Sequence, residues 1–193
     1  MSWRRIAKGP ESPARIFSDR LVLRPYRYSD ADDLFSYAND EEWSRFITPP
    51  HPYLRDYAGK FIDERINGHS NEWAGWCIDY DDRMVGSIDL ILTPAHKSAE
   101  MAYSLARKHW NKGLMTEALT TTITAAFNAE RSMNRIFVRI DSRNAGSIRV
   151  AEKSGFQQEG ILRQNRLHKG RFVDDVVFAM LRDEHKPDLK QSF

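Results

Sequence analysis

The stretch KHWNKGLMTEAL (Lys108–Leu119) sets one glycine between a polar, positively charged run and a residue series with helical spacing. From Leu114 onward the apolar and small residues Met115, Ala118, Leu119, Thr122, Ile123, Ala126 and Phe127 recur on one helical face, which predicts a helix starting at Gly113. The first turn of such a helix carries N–H groups without an intrahelical partner, and the positive end of the helix dipole lies there. A glycine at that point lets an anion approach the backbone closely, and no carboxylate occurs between Lys108 and Lys112 to compete with it. Taken alone, the segment reads either as a phosphate-binding turn or as a tight strand-to-helix turn that needs a permissive residue.

Working outward, the run SAEMAYSLAR before this turn alternates like a strand: Met101, Tyr103 and Leu105 share one face, and Glu100, Ala102 and Ser104 share a smaller, more polar one. EWAGWCIDY and MVGSIDLIL precede it, joined by the short turn Asp81-Asp82-Arg83, so the three runs predict an antiparallel meander. Further upstream, RLVLRPYR (Arg20–Arg27) reads as a strand that Pro25 ends or places at an edge. Two helices follow, SDADDLFSYAND with Ser29 at its start and RDYAGKFIDERING stopped by Gly68. Downstream come the strand RIFVRI, a short helix from Asn144 to Gly155, and two closing strands, GILRQNRL and FVDDVVFAML, with Lys169-Gly170 as their hairpin turn. The order predicts an α/β (α+β) fold: a mixed, mostly antiparallel twisted sheet of about seven strands flanked by helices. A strand, the helix at Gly113 and a parallel strand form one crossover in it. In such sheets ligands gather beyond the carboxyl ends of strands, beside helix starts, which favours the phosphate reading of Gly113.

Composition bounds the rest. The 193 residues contain 41% hydrophobic side chains, enough for one core, and 29 Lys and Arg against 27 Asp and Glu. That near-balance gives no general argument for nucleic acid or membrane as a partner. The short basic run RLHKGR (Arg166–Arg171) reads as a solvated hairpin, so no direct nucleic-acid contact is expected. The single cysteine, Cys77, excludes an internal disulfide, and its apolar surroundings mark a buried structural thiol. No apolar run nears the roughly 20 residues that span a bilayer, and the first 17 residues lack a signal-like apolar core, so a cytoplasmic location is expected. Residues 1–18 read as an N-terminal arm, 19–185 as one domain and 186–193 as a tail.

KHWNKGLMTEAL, followed by NAGSIRVAEKSGFQQEGILR and a last strand ending FAMLRDE, resembles the GCN5-related N-acetyltransferase (GNAT) superfamily over roughly Arg20 to Glu184. The branch it is most similar to is the RimJ/RimL-like one, which includes acetyltransferases of ribosomal-protein N-termini. The resemblance implies acetyl-CoA as cosubstrate and no metal. It implies that the backbone of Asn111, Lys112, Gly113, Leu114, Met115 and Thr116 wraps the pyrophosphate. By the same resemblance Leu105 and Arg107 lie along the pantetheine arm, with Asn144 near its acetyl end and Ser147 near the thioester sulfur. Trp110 and Met115 replace the superfamily's usual Gln or Arg and its second small residue.

Direct attack of an amine on a thioester needs a base, a polarised carbonyl and a proton for the departing thiolate. Glu100, on the small-residue strand face, is the expected base and Ser147 the expected proton donor, with a backbone N–H near Leu105 on the carbonyl. Tyr103 reads as core and Asp89 as a polar group of a strand face. The acceptor is expected to be a primary amine, either a ribosomal-protein N-terminus or a small molecule, held among residues such as Trp43, Phe46, Tyr53, Arg163, Asn165 and His168. The alternative is a non-catalytic acyl-CoA-binding module for sensing or assembly. A homodimer is a family-level expectation.

Overall fold

The computed structural model describes residues 14–68 and 72–186; most of the N-terminal arm and nearly all of the C-terminal tail lie outside the described residues. One sheet of eight strands runs in the order β1-β2-β3-β4-β5-β6-β8-β7. The strands are β1 (Ile16–Phe17), β2 (Val22–Arg24), β3 (Trp73–Tyr80), β4 (Arg83–Thr93), β5 (Ser98–Leu105), β6 (Arg135–Asp141), β7 (Gln157–His168) and β8 (Arg171–Leu181). The helices are α1 (Asp30–Ala38), α2 (Glu41–Ser44), α3 (Arg55–Asn67), α4 (Leu114–Ala129) and α5 (Ala145–Lys153).

The eighth strand is β1, which forms inside the segment read as an arm: Ile16 and Phe17 pair with Leu23 and Val22. Two residues are too few to show an alternation, so no period announces them. The strand read over Arg20–Arg27 narrows to Val22–Arg24, ending at Pro25 as expected. Three helices, not two, follow it. The extra one, α2, has only four residues, but the Asp40 carboxylate accepts the Trp43 N–H at 3.0 Å and starts it. Ser29 stands at the N-cap of α1 without a capping bond; Asp30 instead accepts the Arg27 N–H at 2.8 Å. The expected tight turns hold: Asp81 and Asp82 both have positive φ, as do Lys169 and Gly170 in the closing hairpin.

Alternation along the strands sorts side chains between two cores. Trp76, Ile78, Ile88, Leu90, Met101 and Ile136 face α4 and α5, packing on Leu114, Leu119, Ile123 and Ala151. Cys77 and Met84 face the layer of α1 to α3, with Leu34, Trp43, Tyr53 and Ile62. Cys77 is fully buried, and burial pushes its thiol well above the ordinary range, consistent with a structural role.

Strands β5 and β6 are the parallel pair, and α4 connects them. Their pairing is short: Ser98↔Arg135, Ala99↔Ile136 and Glu100↔Phe137. Beyond Glu100 and Phe137 both strands continue, to Leu105 and Asp141, without pairing to each other. The sheet therefore opens into a wedge at its centre.

At the far end of α4, the Arg182 guanidinium donates to the carbonyls of Phe127, Glu130 and Met133 at 3.0, 2.6 and 2.6 Å. It also lies over the Phe127 ring, 4.8 Å from its centroid. Lost carbonyl partners of this kind cost about 1–3 kcal/mol. Arg182→Ala should lower the stability by about that amount in urea denaturation, with the slope of the transition unchanged.

Candidate active site

Gly113 is the N-cap of α4 at φ 77°, ψ −2°, a left-handed conformation that explains why glycine precedes this helix. Among the described residues no side chain caps the helix, whereas Asn144 Oδ1 caps α5 by accepting the Ser147 N–H at 3.1 Å. The first intrahelical bond of α4 runs from the Glu117 N–H to the Gly113 carbonyl, so the N–H groups of Leu114, Met115 and Thr116 have no partner within the helix.

The loop is tied down on its other side. Glu117 accepts from Ser18 Oγ at 2.7 Å, from the Arg20 backbone N–H at 2.8 Å and from Arg20 Nε at 2.7 Å. Burial alone would raise the Glu117 pKa, but these bonds to Ser18 and Arg20 hold it below the usual range. Arg20 also donates to the Lys112 carbonyl at 3.0 Å, and the Trp110 indole N–H to the Leu105 carbonyl at 2.7 Å. The single carboxylate of the first turn is thus neutralised beside the helix start, while the turn's own donors stay available.

A cavity of about 540 Å³ opens on this turn. Leu105, Asn111, Gly113, Leu114, Met115, Thr116, Asn144 and Ser147 all line it; Arg107 and Lys112 do not. Arg107 pairs instead with Asp40 at 3.3 Å. Met115 is 6% exposed and belongs to the α4 core, so the bulk of its side chain goes inward. Sequence reasoning missed the charge of the wall: Arg45, Arg143, Arg149 and Lys153 outnumber its one carboxylate, Glu42. An anion is favoured on this side.

A second cavity, about 420 Å³, lies on the α1–α3 side of the sheet and shares Trp43, Phe46, Tyr103, Ser104, Asn144 and Ser147 with the first. The two meet at the wedge. On this side three carboxylates, Asp89, Glu100 and Asp141, face two guanidinium groups, Arg139 and Arg166, so the balance of charge reverses. Tyr53 lines the cavity as expected, but Arg163, Asn165 and His168 do not. Asn165 donates to Asp175 at 2.9 Å, and His168 shares a 2.9 Å contact with the Arg45 carbonyl. Beside it Lys169 donates to the Ser44 carbonyl at 2.6 Å, so the β7–β8 hairpin is fastened to the end of α2.

The candidate catalytic groups stand on opposite lips of the wedge. Glu100 is held by Arg139 of β6 through two bonds, at 2.8 and 2.6 Å, so each of its oxygens already accepts one hydrogen bond from the guanidinium. Ser147 Oγ donates to the Tyr103 hydroxyl at 2.8 Å, and that hydroxyl donates to the Ser147 carbonyl at 3.3 Å. Burial raises the Tyr103 pKa to about 12 against the lowering effect of Ser147, keeping the phenol protonated at neutral pH. Among the described residues, no group of three or more His, Cys, Asp or Glu side chains could hold a metal ion, and no helix is long and apolar enough to cross a membrane.

Comparison with known proteins decides the family: the profile described as Acetyltransferase (GNAT) domain matches residues 20–157. The chain belongs to the GNAT acetyltransferase family. This GNAT chain is 40% identical over 173 residues to Probable N-acetyltransferase YjcK of Bacillus subtilis (strain 168), covering 85% of the chain and 95% of that protein. It is 25% identical over 183 residues to the ribosomal protein uS5-alanine N-acetyltransferase of Escherichia coli (strain K12), covering 90% and 93%. The fold superposes on RimL, the ribosomal L7/L12 alpha-N-protein acetyltransferase solved with coenzyme A, with a TM-score of 0.77 at 21% identity over 89% of this chain and all of that one. The protein is an N-acetyltransferase.

Proposed function

We propose that the protein transfers the acetyl group of acetyl-CoA to a primary amine by direct attack of the neutral amine on the thioester. The observation that carries the reading is the parting of β5 and β6 beyond Glu100 and Phe137, where a cationic cavity with an uncapped helix start meets an anionic one. A diphosphate would take the N–H groups of Leu114, Met115 and Thr116, with Asn111 and Gly113 beside it. The pantetheine arm would run along Leu105 towards Asn144, leaving the thioester in the wedge. Arg107 and Lys112 stand off the wall and would act on the phosphates only as charges at its rim.

Ser147 is the proton donor to the departing thiolate, its hydroxyl turning to sulfur from the Tyr103 oxygen to which it donates in this structure, and its proton is replaced from solvent. Ser147→Ala should lower kcat about tenfold with the acetyl-CoA Kd within about twofold, because positioned proton transfer acts in the transition state and not on cofactor binding. Stopped-flow measurement of thiol release, beside calorimetric titration with acetyl-CoA, separates the two quantities.

For the acceptor, the name of the Escherichia coli relative supports a protein α-amine, and a ribosomal acceptor would place the enzyme in the cytoplasm. Incubation with isotope-labelled acetyl-CoA, a peptide library and a panel of small amines, read by mass spectrometry, tests this. Label on α-amines or small primary amines supports the reading. Tight acetyl-CoA binding with no label on any amine would favour a sensor, and label on internal lysines would count against a ribosomal-type acceptor.

A further inference from the structure

Carboxylates outnumber guanidinium groups on the wall of the acceptor cavity, but exposure runs the other way. The Glu100 side chain is 19% exposed and that of its partner Arg139 45%. The side chains of Asp141 and Asp175 are each 1% exposed, whereas Arg166, which lies against both, is 35% exposed. A molecule entering on the β6–β7 side therefore meets guanidinium groups, with their counter-charges beneath them.

Each of these guanidinium groups keeps a free edge. Arg139 gives Nε and Nη2 to Glu100, and its Nη1 has no hydrogen-bond partner among the described residues. Arg166 gives Nε to both oxygens of Asp175, at 2.9 and 3.1 Å, and places Nη2 3.6 Å from Asp141; its Nη1 likewise has no partner among the described residues. A guanidinium carries donors along more than one side of a rigid plane, so a group fixed by one edge can still present another to a carboxylate.

Arg166 reaches the cavity through an irregularity in β7. Leu162 pairs with Asp175 and Arg166 with Val173, so two steps along β8 are matched by four along β7. In unbroken register Gln164 would stand opposite Val173. Instead Gln164 takes φ 49° and its N–H donates to Asp174 at 2.8 Å, which puts Arg166 in that place. A left-handed conformation is costly for a residue with a side chain, and bulges re-aim side chains beside functional sites. Beneath Arg166, Asp141 and Asp175 are register partners on neighbouring strands, like charges that need cations near them. Asp141 already takes Arg143 through both oxygens, at 2.9 and 2.7 Å, and Arg166 neutralises Asp175 through Nε. Neutralising Asp175 uses one edge of Arg166 and does not account for the edge turned to the cavity.

We propose that Arg139 and Arg166 form a carboxylate-binding rim that selects acceptors carrying an anionic group close to the primary amine. The inference rests on the acetyltransferase reading and names the class of amine that it uses. The carboxylate has two sources: the α-carboxylate of a free amino acid, or an acidic side chain in the second residue of a peptide. Arg139 is bonded to Glu100 on the lip of the wedge, so an amine brought to that lip has a guanidinium beside it. Both arginines hold the acceptor away from its reacting nitrogen, and a lysine in the second residue would be repelled there. Their effect therefore lies in the choice among acceptors.

The test measures kcat/KM of the full-length protein, by thiol release, for two matched pairs: alanine with alaninamide, and an alanyl-glutamyl pentapeptide amide with its alanyl-glutaminyl counterpart. In at least one pair the carboxylate-bearing acceptor should be used about tenfold better than its neutral match. That ratio should shrink in about 0.5 M salt, where exposed charges are screened. A preference in the first pair assigns the free amino acid, and one in the second assigns the peptide. Arg139→Gln, and Arg166→Gln combined with Asp175→Asn so that no buried carboxylate is left unpaired, should each lower the ratio about fivefold. A purely structural role, or a disturbed Glu100, would change both members of a pair alike and leave the ratio where it was. Acetyl-CoA affinity within about twofold of wild type certifies each variant's fold. Should the double variant fail to fold, the wild-type ratio and Arg139→Gln decide. Failure of wild type to bind acetyl-CoA would sink the acetyltransferase reading itself. Normal acetyl-CoA binding with the neutral partners used equally well, with none of the four used, or with ratios unchanged in the variants would overturn the rim alone.

Discussion

Replacing Gly113 by aspartate should weaken acetyl-CoA binding about a thousandfold while the protein remains folded. The new carboxylate would sit where the diphosphate is to bind, about 4 Å from it, and like charges at that separation near a surface repel by ~4 kcal/mol, which is a factor of about a thousand. It would also compete for the N–H groups of the first turn. The fold tolerates the change: a Cβ at this position meets only the Arg20 guanidinium, at 3.5 Å. The remaining cost is the left-handed conformation at φ 77°, about 1–2 kcal/mol for a residue with a side chain. Gly113→Ala isolates that strain and should weaken binding by no more than about tenfold. Calorimetric titration of acetyl-CoA into both variants is the check, and equal losses in the two would refute an electrostatic origin.

Arg24→Ala should have the largest effect on stability. Arg24 is 3% exposed and bonds Asp30 through two nitrogens, at 2.9 and 2.8 Å, and Asp79 through Nε at 2.5 Å. Burial opposes the charge on Arg24, yet its bonds to Asp30 and Asp79 raise the guanidinium pKa overall. The triad joins β2 and β3 to the start of α1, and so supports the helical layer that walls the acceptor cavity. Removing the cation leaves two buried carboxylates facing each other, a change that costs about 3–5 kcal/mol. At about 2–4 °C per kcal/mol for a domain of this size, the thermal midpoint should fall by about 6–20 °C. Adding Asp30→Asn and Asp79→Asn to Arg24→Met should recover part of that loss, because no buried charge is then left unpaired. A midpoint of Arg24→Ala within about 2 °C of wild type would show the triad to be neutral.

The parts of this molecule legible in its sequence are those set by local rules. Gly113 announced the turn because a left-handed residue before an apolar helical face has few other candidates. The alternation of Met101, Tyr103 and Leu105 against Glu100, Ala102 and Ser104 gave the two faces of β5, and Asp81-Asp82 gave the hairpin before it. What escaped depends on chain segments far apart. Glu100 and Arg139 are 39 residues apart and meet only because β5 and β6 lie side by side. The partner of Asp89, the Arg65 guanidinium 24 residues away, and the space that Gly75 leaves beside the carboxylate likewise cannot be seen in its own strand. Tyr103 shares the core face as expected, but its hydroxyl reaches Ser147 across the wedge, a contact that periodicity does not describe. Arg107 and Lys112 flank the glycine turn in sequence, yet they stay off the cavity wall. The Arg107 side chain is drawn to Asp40, and the Lys112 carbonyl to Arg20.

The central claim is that the uncapped start of α4 grips the diphosphate of acetyl-CoA and lays its thioester between the diverging ends of β5 and β6. A crystal structure of the protein with acetyl-CoA tests it most directly. The account predicts phosphate oxygens within hydrogen-bonding distance of the Leu114, Met115 and Thr116 N–H groups, and the acetyl carbon between Tyr103 and Ser147. A nucleotide bound on another face, with those N–H groups sealed by protein atoms, would contradict it.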